Sequence, residues 1–91
     1  MPRFPEGWSV DAEGKRVSRD VKTKDFLAAL DLFAAIGEVA EELEHHPDLH
    51  LERWNRVRIV SYSHDVGALT DRDERLVARI DALLRERRLV G

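Results

Sequence analysis

An α+β fold, a four-stranded antiparallel sheet with two main helices packed on one face, is predicted by three observations in the 91-residue sequence. Apolar residues recur at spacings of three and four from Phe26 to Leu43 and again from Leu76 to Leu84, the signature of two amphipathic helices. Around Val17–Val21 and Val57–Ser63 the residues alternate with a period of two, as strands do. Turn chemistry stands at Asp11-Ala12-Glu13-Gly14 and near Trp54-Asn55. The order hairpin, helix, hairpin, helix is closed most simply by one sheet with both helices on the same side.

Residues 1–7, with Pro2, Pro5 and Gly7, read as an extended lead-in. From Trp8 to Val21 a hairpin is expected, with Gly14 able to take a positive φ in its turn. Val17, Arg19 and Val21 alternate with Arg16, Ser18 and Asp20 in its second strand. Thr23 is the expected cap of the first helix, and Asp25 then falls in the first turn, where a carboxylate suits the dipole. Phe26, Leu30, Phe33, Ile36, Gly37, Ala40 and Leu43 form one face of about five turns. Pro47 pushes His46 away from helical geometry, so the helix should stop near His45.

Leu49 and Leu51 begin the next strand, and Trp54-Asn55 or its neighbours turn the chain. In the strand from Val57 to Ser63, Val57 and Ile59 share one face, Val60 and Tyr62 the other. Apolar residues on both faces suggest that the second face is also covered, with another subunit as a candidate. After Gly67, Thr70 is the expected N-cap of the last helix, with Asp73 in a capping-box position. Leu76, Val77, Ile80, Leu83 and Leu84 form its buried stripe.

The whole chain, 1–91, reads as one domain with one modest core. An active site would then be a surface cleft or lie near a subunit interface. The 43% apolar and 36% charged fractions fit a folded globular domain. A net charge of −3 argues against a general nucleic-acid binder, and the arginines near 85–88 suit a helix C-terminus. Without cysteine there is no disulfide framework and no thiolate zinc site. The N-terminal stretch has no hydrophobic signal core and no apolar run approaches a membrane span, so a cytoplasmic location is expected.

Four histidines, His45, His46, His50 and His64, stand close together in the sequence. Imidazole titrates nearest neutral pH and both gives and takes protons. His45 and His46 fall at a helix C-terminus, which favours a protonated ring by roughly 0.3–1 kcal/mol when exposed. Adjacent imidazoles disfavour double protonation, so one can be cationic and the other neutral. The plain alternative is a pair of ordinary helix-end residues. A metal site from His45, His46 and His64 is a further alternative, but adjacent histidines chelate one ion poorly and no HExxH helix is present. His50 lies in an alternating strand and reads as a surface residue.

Glu41-Glu42-Leu43-Glu44-His45-His46-Pro47 resembles the signature of the pterin-4a-carbinolamine dehydratase family, in which a glutamate precedes His-His-Pro by four residues. The similarity continues through Trp54-Asn55-Arg56-Val57 and Ile59, Ser63-His64, and Leu69-Thr70-Asp71-Arg72-Asp73. Upstream, Gly7-Trp8 and the stretch from Lys24-Asp25-Phe26 to Phe33 also match. Two departures stand out: the interval between His-His-Pro and Ser-His is about one residue longer than in animal members, and Leu49 replaces a common aromatic.

The resemblance implies loss of water from a 4a-hydroxytetrahydropterin, giving the quinonoid dihydropterin in tetrahydrobiopterin recycling, with no redox cofactor and no metal. It implies His45, His46, His64 and Asp73 as catalytic residues, and Trp8, Glu41, Pro47 and Ser63 as substrate-binding residues. Three of them have a plain structural alternative: Asp73 as a cap, Trp8 as a core or edge anchor, Glu41 as a solvated helix residue. It further implies a homodimer or homotetramer, as do the open edges of a four-stranded sheet, with Val60, Tyr62 and the exposed stripe of the helices as contact candidates. The rival is a non-catalytic binding role, as transcriptional cofactor or protein-assembly factor.

Overall fold

A computed structural model describes residues 2–89. Strand β1 (Ser9–Val10) and strand β2 (Val17–Lys22) precede helix α1 (Phe26–Leu43); strand β3 (Asp48–Glu52) and strand β4 (Arg56–Ser61) precede helix α2 (Asp71–Glu86). The sheet order is β1-β2-β4-β3, and every neighbouring pair is antiparallel. The α+β architecture expected from the residue pattern is the one observed. The central ladder runs from Val17 opposite Ser61 to Lys22 opposite Arg56.

The period of two decides what the sheet buries. Val21, Val57 and Ile59 face the helices and meet Leu32 and Ile36 of α1 and Leu76, Ile80 and Leu84 of α2 in the core, and Val17 is fully buried. Each such side chain contributes about 1.5–3 kcal/mol when fully buried. Leu83, expected in the stripe, is only partly buried. On the other face, Val60 sits between Ser18 and Asp48 in register and is already covered within the single chain. Tyr62 beside it donates its hydroxyl hydrogen to Asp48 at 3.0 Å. The burial of Val60 therefore needs no second subunit.

Two helix ends differ from expectation. The N-cap of α1 is Asp25, not Thr23: its extended backbone precedes Phe26, and its carboxylate accepts the Ala28 N–H at 2.8 Å. Thr23 is two residues too early to reach those amides and donates to the Asp25 carbonyl instead. At the other end, α1 stops at Leu43 rather than near His45. Glu44 takes a left-handed conformation, φ 52°, and the His45 N–H folds back to the Ala40 carbonyl at 3.1 Å. This back-bonding closes the helix two residues before the expected end. For α2 the expected capping box is present, with Thr70 and Asp73 bonding reciprocally.

The β3–β4 turn runs through Arg53, Trp54 and Asn55, with Arg53 and Trp54 both at positive φ. Asn55 then pins this turn to the entrance of α1: its carbonyl accepts the Thr23 N–H at 2.9 Å and its amide donates to the Thr23 carbonyl at 3.2 Å. The strand β4 ends at Ser61, two residues short of expectation, which frees Ser63 and His64 to enter a loop. Among the described residues, no helix is long and apolar enough to cross a membrane.

Candidate active site

The end of α1, the end of β4 and the first turn of α2 converge on one carboxylate. Asp73 is fully buried, an unusual position for an acid unless it is paired. Its Oδ1 accepts from His45 Nε2 at 2.8 Å and from the Ser61 hydroxyl at 2.6 Å. Its Oδ2 accepts from the Ser63 hydroxyl at 2.6 Å and from the Thr70 N–H at 2.9 Å. Burial alone would raise the Asp73 pKa. The donors Ser61, Ser63, His45 and Thr70 N–H together outweigh it and hold the carboxyl below its ordinary value. Asp73 is thus an anion at neutral pH.

That charge orders the hydrogens around it. Ser63 spends its one hydroxyl hydrogen on Asp73, so in its 3.0 Å contact with Thr70 it accepts from Thr70 Oγ1. Thr70 Oγ1 in turn accepts the Arg72 N–H at 3.2 Å. His45 must donate through Nε2, because an ionised carboxylate only accepts. Its ring is 10% exposed, and Nδ1 makes no hydrogen bond among the described residues.

The other candidates lie around this buried centre. The ring of His46 is 60% exposed and its Nε2 bonds to the Glu41 carboxylate on the last turn of α1. The Schellman-like turn therefore sends consecutive imidazoles to opposite environments, one buried on Asp73 and one at the surface. His64 is exposed and meets the Tyr62 ring edge-on, centroids 4.6 Å apart. His64 and Ser63 line a cleft of about 290 Å³ with Glu13, Lys15, Arg16, Tyr62 and Gly67. The cleft wall is held in place by the Leu69 N–H, which donates to the Gly14 carbonyl at 3.1 Å. Pro47 is half-buried beside His46 and directs the chain into β3. His50 is exposed, as expected for its strand position.

Trp8 is anchored elsewhere. Its indole N–H donates to Asp81 Oδ1 at 3.0 Å, and its ring packs on the core. Asp81 lies eight residues along α2 from Asp73, about 12 Å by helical rise. No hydrogen bond joins Trp8 to the Asp73 group among the described residues. Asp81 also accepts from Arg85 Nε at 2.8 Å.

Sequence reasoning missed Ser61 and Asp81. Both break an apolar pattern: Ser61 continues the inward alternation of Val57 and Ile59, and Asp81 interrupts the buried stripe of α2. A polar residue on a buried face was the signal available. Among the described residues no three His, Cys, Asp or Glu side chains group as a metal site.

Comparison with known proteins identifies the family and the fold. The sequence pattern of the family described as pterin 4 alpha carbinolamine dehydratase matches residues 2–83. Pterin-4-alpha-carbinolamine dehydratase 2, mitochondrial, of Arabidopsis thaliana is 39% identical over 79 residues. The match takes in 85% of this chain but 42% of that protein, so the chain spans about two-fifths of its length. Among solved structures, a transcriptional coactivator/pterin dehydratase from Brucella melitensis superposes with a TM-score of 0.77 at 28% identity, covering 85% of this chain and 81% of that one. A pterin dehydratase-like RuBisCO assembly factor of the alpha-carboxysome has a TM-score of 0.71 at 15% identity, covering 91% and 95%, and shares the fold.

Proposed function

The chain belongs to the pterin 4 alpha carbinolamine dehydratase family, and from that premise we propose that it dehydrates a 4a-hydroxytetrahydropterin to the quinonoid dihydropterin. The reading is carried by the buried Asp73–His45 pair, which holds one imidazole in a defined protonation pattern at the edge of the protein. In the reaction the C4a–O bond breaks, the hydroxyl leaves as water after taking a proton, and N5 gives up its hydrogen as the N5–C4a double bond forms. Two proton transfers are needed, and a positioned acid or base supplies about 10²–10⁴-fold each.

His45 is the proposed base. Its Nε2–H is committed to Asp73, so Nδ1 is the nitrogen left to accept a proton. The proposed acid is His46 or His64, both solvent-exposed imidazoles that solvent can reprotonate. Glu41 orients His46, Ser63 lines the cleft beside His64, and Pro47 sets the path of the chain after His46. Trp8 contributes through the α2 side of the fold, where Asp81 holds it. The physiological setting proposed is tetrahydrobiopterin recycling, in a homo-oligomer.

A stopped-flow assay of carbinolamine loss at substoichiometric protein tests the reading. Acceleration above the spontaneous rate, lost in His45→Ala and in whichever of His46→Ala and His64→Ala removes the acid, is the expected result; no acceleration by folded protein refutes it. The second reading, a non-catalytic cofactor or assembly factor, draws on the two structural relatives, a transcriptional coactivator/pterin dehydratase and a RuBisCO assembly factor. It predicts that same absence of turnover.

A further inference from the structure

Ser61 has no part in the proton transfers, yet it is built into the site. It is fully buried at the end of β4, on the face where Val57 and Ile59 enter the core. A hydroxyl there costs free energy unless it is bonded. Its partner is Asp73 Oδ1, at 2.6 Å, the same oxygen that takes His45 Nε2 at 2.8 Å.

The sharing matters because of how the carboxylate is held. Ser63 and the Thr70 N–H fix Oδ2 from the loop and helix side. With Oδ2 held alone, the carboxylate plane still turns within the broad two-fold well of the Asp χ2 torsion. Oδ1 would then swing relative to the imidazole. A second donor on Oδ1, coming from the rigid central strand, stops that motion. It also stabilises the anion, without which Asp73 would no longer compel Nε2 to be the donor.

We propose that Ser61 is a positioning residue: by occupying the second acceptor site of Asp73 Oδ1, it locks the carboxylate and commits neutral His45 to the Nε2–H tautomer, leaving Nδ1 as the ring's proton acceptor. The catalytic consequence rests on the proposed dehydratase reading. The tautomer does not, and it has its own readout.

The experiment is a long-range ¹H–¹⁵N correlation of the His45 ring in uniformly ¹⁵N-labelled protein, recorded at rising pH until the ring is neutral. Wild type is expected to show a protonated-type Nε2 and an unprotonated-type Nδ1. In Ser61→Ala the two shifts should move toward each other as the second tautomer becomes populated. Its kcat should fall about 3- to 10-fold, the worth of one hydrogen bond, with KM unchanged. Ser61→Thr keeps the hydroxyl and is expected to recover the wild-type ring shifts. An Nδ1–H tautomer in wild type overturns the proposal without any variant having to fold. So does a Ser61→Ala protein that loses thermal stability but keeps wild-type ring shifts and kcat, since that is a purely structural serine. If wild type fails to dehydrate any pterin, the functional reading falls while the tautomer measurement still decides this one.

Discussion

His45 Nε2 and Asp73 Oδ1 lie 2.8 Å apart across 28 residues of sequence, joining the end of one helix to the first turn of the other. The pair ties a capping residue to a titratable ring. Its carboxylate serves α2 as the N3 member of the capping box and serves the site as the acceptor for His45.

Asp73→Asn should separate these two uses. The amide presents a donor to one neighbour that donates to Asp73 in wild type, so either the Thr70 cap is lost or His45 must switch to the Nδ1–H tautomer and accept through Nε2. Dehydration kcat is expected to fall about 10- to 100-fold, as when a group orienting a functional imidazole is removed. Asp73→Ala leaves several buried donors unpaired and should cost about 3–5 kcal/mol by urea unfolding.

Acid should destabilise the protein through Asp73 and Asp81. For Asp81, burial raises the pKa, but hydrogen bonds from Arg85 and Trp8 outweigh it and the net shift is downward, as for Asp73. A carboxylate with a depressed folded pKa contributes stability above its unfolded value, near 3.8. That contribution is lost as pH falls through the folded value, because the unfolded chain binds the proton first. Urea midpoints should therefore be flat above about pH 5 and drop below about pH 4. In Asp73→Asn the acid limb should be shallower than in wild type.

His46 and Glu41 should affect rate far more than stability. Both side chains are largely exposed, so their contact is worth less than about 1 kcal/mol. His46→Ala is expected to leave the thermal midpoint nearly unchanged while lowering kcat about 10²-fold, if His46 is the acid. Glu41→Gln, which keeps a hydrogen-bonding oxygen, should fall between that variant and wild type.

Gly7→Ala should disturb the N-terminal docking. Gly7 has φ +98°, and a Cβ built there would lie 1.5 Å from Arg19 Nη1. Arg19 is buried and donates to the Glu6 carbonyl at 3.2 Å, so it has little room to withdraw. A loss of about 1–3 kcal/mol is expected in thermal or urea unfolding. Partial recovery of stability in the double variant Gly7→Ala/Arg19→Lys would separate the clash from the backbone strain at φ +98°.

The helices, the hairpins and the layer order were legible because each depends on local periodicity. Val57 and Ile59 had to share a face whatever lay beyond the sheet, and Thr70 with Asp73 announced a capping box within four residues. The ends of α1 were less legible. Thr23 and Asp25 are both competent caps, and only the path of the chain selects the one adjacent to Phe26. Glu44 carries no glycine-like signal for its left-handed conformation. The back-bond from His45 to Ala40 decides it.

For the site, the sequence by itself determined which chemistry was available: three imidazoles, an acid and a proline in an order that resembles one family. Only the tertiary structure decided how they divide. A carboxylate held below its ordinary pKa by four donors is charged at neutral pH, and a charged carboxylate accepts its hydrogen bond from the Nε2–H of His45. Those donors come from β4, the loop after it, the start of α2 and the end of α1. Hydrogen-bond directions between segments so far apart follow from packing, and no local pattern in the chain encodes them. For the same reason Ser61, an unremarked serine in a strand, donates to Asp73, and Trp8 donates to Asp81.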